Sequence, residues 1–161
     1  MIDKLLQHID RATLKAGGAA ADSLGVPCYA VGGYVRDLFL QRPSKDIDFV
    51  CVGHGSGIAV AQALSNNARR GSRVNIFRTY GTAQLLYRGL ELEFVGARRE
   101  SYHRESRNPV VEEGTLDDDI LRRDFTINAM ALCVNANEFG RLVDLFDGVG
   151  DLHRRIIRTP L

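Results

Sequence analysis

The chain has 161 residues, 21 Lys+Arg against 20 Asp+Glu, a net charge of +1, 45% hydrophobic residues, three cysteines and no tryptophan. That length suits one domain able to bury its own core, and the balance of charge and apolar residues excludes a disordered chain. No apolar run nears the roughly 20 residues that span a bilayer, and Met1–Gln7 carries no leader pattern, so a cytoplasmic protein is expected.

In chain order, apolar residues at helical spacing predict a helix over 1–24, interrupted at Gly17-Gly18 and stopped by Gly25-Val26-Pro27. Cys28–Val31 reads as a short strand, Gly32-Gly33 as a turn, and Tyr34–Leu40 as a helix with Val35, Leu38 and Phe39 inward. Ile47–Val52 is an apolar strand, 53–57 a glycine-rich loop and Ile58–Ala68 an amphipathic helix. Three strands follow at Arg73–Phe77, Thr82–Tyr87 and Leu90–Val95, the last two joined by an Arg88-Gly89 turn. Residues 99–114 are polar, charged and without period, which predicts a loop. Thr115 with Asp118 forms an N-cap pair opening a helix through Arg122. Phe125–Ala131 reads as helical, Leu142–Leu145 as a strand and Val149–Arg154 as a turn or helix. The order implies an α+β (α/β-type) fold with one mixed β-sheet flanked by helices.

Arginine supplies nearly all the positive charge, in clusters at Arg69-Arg70-Arg73, Arg98-Arg99, Arg104-Arg107, Arg122-Arg123 and Arg154-Arg155-Arg158. Its planar fork suits phosphate. Cys28, Cys51 and Cys133 are odd in number and sit in apolar contexts, so they read as buried thiols of a reducing compartment. The four histidines show no ligand spacing. Gly53-His54-Gly55-Ser56-Gly57 has neither the third glycine of a dinucleotide fingerprint nor the frame of a serine nucleophile elbow.

Chemistry concentrates in Lys45-Asp46-Ile47-Asp48-Phe49-Val50. Residues i and i+2 of a strand share a face, so Asp46 and Asp48 project together, opposite Ile47 and Phe49. Two carboxylates about 6 Å apart repel by roughly 3 kcal/mol at an effective dielectric near 20, a cost that a divalent cation relieves; open oxygen donors suit Mg²⁺. Glu91 and Glu93 alternate in the same way with Leu90, Leu92 and Phe94. A third carboxylate joins the pair if the two strands are neighbours, a constellation suited to two-metal phosphoryl transfer. Alone, such alternation also describes any half-exposed strand. Gly32-Gly33, whose second glycine is 13 residues before Asp46, stands between a strand and a helix. There glycine lets a phosphate approach backbone N–H groups, with Arg36 one turn on; a plain tight turn with Arg36 paired to Asp37 is the simpler alternative.

The combination Gly32-Gly33-Tyr34-Val35-Arg36-Asp37 with Lys45–Val50 resembles the signature of the polymerase-beta nucleotidyltransferase superfamily. Arg122-Arg123-Asp124-Phe125-Thr126-Ile127-Asn128-Ala129 is similar to an element of class II tRNA nucleotidyltransferases (CCA-adding enzymes) and bacterial poly(A) polymerases. The resemblance runs from about Cys28 to Pro160, the catalytic head of that family. It implies that Gly32, Gly33 and Arg36 hold nucleotide phosphates and that Asp46 and Asp48 ligate Mg²⁺. Glu93 would be the third catalytic carboxylate, with Glu91 as fallback. Arg98, which with Glu100 matches a family R-x-E, and Arg123 would meet phosphate, Asp124 the ribose hydroxyls, and Asn128 ribose or phosphate. Asp124 could also cap the following helix, and Asp117-Asp118-Asp119 reads as a complement to the helix dipole.

The implied activity is transfer of CMP or AMP from CTP or ATP to a tRNA 3′ end. The alternatives are a poly(A) polymerase head and a non-catalytic nucleotide- or RNA-binding module. The implied organisation is a head over 1–161, with 155–161 starting a linker to a helical neck; the chain would then be a piece of a longer protein.

Overall fold

The computed structural model describes residues 2–68, 73–101 and 110–160. Arg69, Arg70, Arg104 and Arg107, and the centre of the loop expected over 99–114, lie outside the described residues.

α1 (Ile2–Leu5) and α2 (His8–Ser23) are separated at Leu6-Gln7, and α2 runs unbroken through Gly17-Gly18. The break expected at the glycines is thus displaced, because these glycines serve packing. A Cβ on Gly17 would sit 3.3 Å from the Phe49 ring, and one on Gly18 would collide with the Val134 carbonyl. The helix tolerates the roughly 1 kcal/mol propensity cost of each glycine in return for lying directly on the sheet.

A seven-stranded mixed sheet forms the centre, in the order β3-β4-β5-β2-β1-β8-β9. Its strands are β1 (Cys28–Val31), β2 (Asp46–Cys51), β3 (Val74–Phe77), β4 (Thr82–Tyr87), β5 (Leu90–Gly96), β8 (Ala131–Cys133) and β9 (Leu142–Val143). Among the described residues only β2 and β5 run parallel; the other neighbours are antiparallel. The β4–β5 hairpin turns at Arg88 (φ 50°) and Gly89 (φ 82°), two successive positive angles that match the right-handed twist of the flanking strands. α3 (Gly33–Phe39) and α4 (Ser56–Asn67) follow β1 and β2. Gly57 lets α4 press on β5, where a Cβ would come within 2.8 Å of the Val95 backbone.

The two faces of the sheet have different fates. On one, Ile47, Phe49, Cys51, Leu92 and Phe94 meet Leu14, Val35, Val60 and Leu64 of the helices in the main core. Phe49 and Phe94 stack there with centroids 4.5 Å apart. On the other face, Val31, Val50, Ala97, Ala129 and Ala131 pack around Ile120 of α5 (Leu116–Leu121), covering the β1–β8 side and the C-terminal ends of β2 and β5. Beyond Val50 and Val95, the face over β2, β5, β4 and β3 is left open by the described residues.

Three expectations are corrected. Phe125–Ala131 is not a helix: a single 3₁₀ turn, Thr126–Asn128, leads into β8. Met130, Leu132 and Val134 enter the main core while Ala129 and Ala131 enter the smaller one. A strand buried on both faces has no polar alternation to betray it. The ends of the 99–114 stretch are not loop either, for β6 (Arg98–Ser101) and β7 (Val110–Glu113) pair antiparallel. Their register sets Arg98 opposite Glu113 and Arg99 opposite Glu112, a charged ribbon with no apolar period to read. Asp124 does not cap a helix; Phe125 occupies the N-cap position of the 3₁₀ turn. By contrast, Thr115 and Asp118 form a reciprocal capping box, and α6 (Gly148–Arg154) lies where a turn or helix is expected.

All three cysteines are free and buried. Cys28 and Cys51, distant in sequence, face each other across β1 and β2 with sulfurs 3.7 Å apart. The Cys51 contact and burial hold the Cys28 thiol well above its ordinary pKa. No helix among the described residues is long and apolar enough to cross a membrane.

Gly18→Ala is expected to destabilise the fold by about 1–3 kcal/mol, the usual cost of forcing atoms into a packed contact. Gly17→Ala, facing a ring that can shift, is expected to cost less. Urea midpoints of the two variants measure the order.

Candidate active site

Register is the first fact of the site. In the parallel β2–β5 pair Asp46 stands opposite Glu91 and Asp48 opposite Glu93, so all four carboxylates share the open face. Gln84 of β4 stands opposite Glu93, and its Nε2 donates to Glu93 Oε2 at 3.4 Å. Asp46, Asp48, Glu91 and Glu93, with Arg73, Asn75 and Gln84, line a cavity of about 840 Å³. Asp48 sits on the concave floor: water reaches it, yet the sheet surrounds it. Burial first, then the facing Glu93 and neighbouring Asp46, raise its pKa above the ordinary carboxylate value, against the opposing pull of Arg123. Among the described residues the acidic groups share a face without closing into a preformed cluster of three metal ligands.

Beside Asp48 lies the glycine turn. Val31 pairs with Asp48, so Gly32 emerges next to it at the end of β1. Gly32 has φ 72° and ψ −142°, a region nearly closed to residues with a Cβ. Arg123 reaches this turn, its Nη1 lying 3.4 Å from where a Gly32 Cβ would be. Arg36, in the first turns of α3, folds back over Gly33. Its Nε donates to Asp37 Oδ1 at 3.2 Å and its Nη1 to Asn128 Oδ1 at 2.9 Å. The Asp37 pairing expected of a plain turn is therefore present, and so is a second hydrogen bond that joins the turn to the 122–129 element. Asn128 Nδ2 in turn donates to Asp124 Oδ1 at 3.4 Å, which also accepts from the Phe125 N–H at 2.8 Å.

Gly32, Gly33, Arg36, Arg123, Asp124 and Asn128 thus form one group flanking Asp48 on the β1–β8 side. Arg98 stands apart. It lies on the β4 side of Glu93, its Nη2 donating to the Tyr80 carbonyl at 3.2 Å and to Thr82 Oγ1 at 3.3 Å. The side chain of Glu100 lies outside the described residues.

Asp119 carries a role that a helix-dipole reading misses. It is 1% exposed, accepts from Arg122 Nη2 at 3.3 Å and Arg123 Nη2 at 2.9 Å, and takes the Arg98 backbone N–H at 3.0 Å. Ile120, its neighbour, plugs the apolar end of the carboxylate face and so fixes α5 there. The signal was in the spacing: an acid three and four residues before two arginines can bind both on a helix. Asp151, equally buried, secures the other side. It accepts from Thr126 Oγ1 at 2.5 Å, Arg154 at 3.0 Å and Arg158 at 3.1 Å. These hydrogen bonds, Thr126 foremost, hold its carboxyl below the usual range.

Asp119→Asn is expected to destabilise the chain by about 3 kcal/mol, the low end for breaking a buried ion pair, since both guanidiniums keep an edge in water. Denaturant unfolding measures it. The same variant should weaken any anion binding at Gly32, because Arg123 loses its anchor.

Residues 28–158 match the family described as "Poly A polymerase head domain". An A-adding tRNA nucleotidyltransferase of Aquifex aeolicus is 46% identical over 131 residues, covering 81% of this chain and 15% of that protein. A solved structure described as a CCA-adding enzyme in apo form superposes with a TM-score of 0.88 at 33% identity, covering 99% of this chain and 38% of the other. A second, a tRNA nucleotidyltransferase complexed with a primer tRNA and an incoming ATP analog, gives 0.76 at 41% identity, covering 90% and 39%. The chain spans well under half the length of these relatives. With its carboxylate face, glycine turn and arginine element in that arrangement, the chain belongs to the poly(A) polymerase head domain family of nucleotidyltransferases.

Proposed function

We propose that this chain is the catalytic head of a tRNA nucleotidyltransferase, joining AMP or CMP from ATP or CTP to an RNA 3′-hydroxyl with release of pyrophosphate. One observation supports it above the rest: Asp48 is in register with Glu93 on an open face, with Arg123 and the Gly32 turn immediately beside it. Relatives named for A-addition and CCA-addition both point to tRNA as the acceptor, and a neighbour holding primer tRNA with an ATP analog favours that reading over a general poly(A) polymerase.

The donor set fits Mg²⁺. Asp46 and Asp48 offer hard oxygens at i and i+2 of one strand, with room for water in the cavity above. Bound there, the ion would neutralise phosphate charge and lower the pKa of the attacking hydroxyl. The chain's own groups do the rest. Arg36 and Arg123 place two fixed positive charges beside a turn where no Cβ blocks a phosphate, and the first N–H groups of α3 lack intrahelical acceptors. Arg123 Nε is buried without a hydrogen-bond partner among the described residues, a donor that a phosphate oxygen would satisfy. Asp124 and Asn128, already hydrogen-bonded to each other, suit a ribose hydroxyl, which both donates and accepts. As the new bond forms from the 3′ oxygen to the α-phosphorus, the bond to the β-phosphate oxygen breaks and its electron pair leaves with pyrophosphate. The hydroxyl proton passes to Glu93, oriented by Gln84.

Two outcomes follow from the raised Asp48 pKa. Because the fold disfavours its ionised form, Asp48 costs stability as pH rises through that pKa. Added Mg²⁺ should therefore raise the melting temperature at neutral pH and lose this effect as pH falls and the carboxylate protonates. Asp48→Asn should melt at or above the wild-type temperature without metal and show no Mg²⁺-dependent rise. In the protein containing this chain, the same change should cut incorporation of radiolabelled AMP into a tRNA lacking its terminal adenosine by more than about a hundredfold. Retained incorporation would remove the metal-site assignment.

A further inference from the structure

The phosphate-binding groups all lie on one side of the carboxylates. In the sheet order β3-β4-β5-β2-β1-β8-β9, Gly32, Gly33, Arg36 and Arg123 flank Asp48 from the β1–β8 side. In a phosphoryl transfer the attacking and leaving oxygens stand roughly in line through the phosphorus. With pyrophosphate departing over β1, the attacking hydroxyl must come from the opposite direction, over β5, β4 and β3. That is the half of the face that no element among the described residues covers.

This half is built for more than passive clearance. Phe77 is 45% exposed and Tyr80 69% exposed. Phe77 stands opposite Thr82, and Gln84 opposite Glu93, so register brings Phe77 to the carboxylate face. Phe77 and Tyr80, with Gln84, Glu93 and Arg98, line a cavity of about 340 Å³ that adjoins the larger one through Gln84 and Glu93. Arg98 is held in place by the Tyr80 carbonyl and Thr82, and Arg73 and Asn75 border the larger cavity farther along β3. Two exposed rings, amide groups and two guanidiniums in one continuous strip make the combination that binds single-stranded nucleic acid: rings stack bases and cations meet the backbone. An apolar protein partner would leave these guanidiniums and amides without matching groups.

Resting on the transferase reading above, we propose that the β3–β4 hairpin is the platform for the single-stranded 3′ end of the acceptor RNA. Tyr80 and Phe77 stack its last bases, and Arg98 and Arg73 hold its phosphates. Both rings line the cavity on the β4 side of Glu93, so both act as positioning residues that set where the 3′-hydroxyl lies relative to Asp48 and Glu93.

The test uses a short single-stranded RNA with 2-aminopurine as its 3′-terminal base, titrated with the chain in Mg²⁺ and a non-hydrolysable ATP analogue. Stacking on the rings is expected to quench the fluorophore. Tyr80→Ala and Phe77→Ala should each weaken RNA binding by roughly tenfold, as loss of one base–aromatic stack does, and restore the emission. Tyr80→Phe should retain both affinity and quenching. Calorimetric binding of the Mg²⁺–ATP analogue should be the same in all of these variants, and their melting temperatures should match the wild type because both rings are exposed. Absence of RNA binding, binding without quenching, or wild-type RNA affinity in both alanine variants overturns the platform. So does loss of self-association in those variants with RNA affinity unchanged, which would assign the rings to a second copy of the chain. If the analogue fails to bind while the hairpin variants still lose RNA, the transferase reading falls and the platform stands.

Discussion

The parallel pairing of β2 with β5 is the constraint on which the rest depends. A strand places alternate residues on opposite faces, so the register that opposes Asp48 to Glu93 also opposes Phe49 to Phe94. One face receives like charges and the other receives stacked aromatic rings. A slip by one residue would bury the carboxylates and expose the phenyl rings. The main core therefore secures the register, and the register maintains a cluster of mutually repelling acids that would not assemble by itself. The raised pKa of Asp48 reflects its burial first and that imposed repulsion second.

The second dependency runs through α5. Its Ile120 closes the apolar end of the same face, and the adjacent Asp119 draws Arg123 toward Gly32 and the Arg98 backbone toward the start of β6. One short helix thereby links the glycine turn, the arginine element and the β5–β6 junction. Asn128 adds a side-chain link to Arg36, and Asp151 ties the 3₁₀ turn to the C-terminal arginines. Buried acids binding several arginines trade some stability for placement: each guanidinium gains a fixed direction from a partner that cannot move. A site that must hold charge at chosen points benefits from this rigidity more than from flexible lysines.

These links divide the open face by role. Positive charge gathers on the β1–β8 side, acid lies in the middle, and exposed rings with Arg98 lie over β3 and β4. A group transfer with an attacking and a leaving side needs that asymmetry. Of the helices packed on the opposite face, α3 contributes Arg36 to it, and α2 and α4 supply the floor behind the carboxylate strands.

Much of this was legible in the residues themselves. Alternation in Asp46–Val50 and Leu90–Val95, the Arg88-Gly89 turn and the Thr115–Asp118 capping box are local signals, set by side-chain period and backbone sterics within a few residues, and the structure follows them. Where tertiary contacts dominate, the local signal misleads. Gly17-Gly18 looks like a break and is a packing surface, Phe125–Ala131 looks helical and feeds a strand buried on both faces, and Cys28 and Cys51 look unrelated and touch. Asp119 looks like a dipole complement and is the anchor of the arginines. The sequence by itself determined which residues could carry the chemistry, because charge, size and period are properties of the residues. Only the tertiary structure decided which of them meet and from which side the carboxylates are approached, because strand order and register join segments that no local period connects.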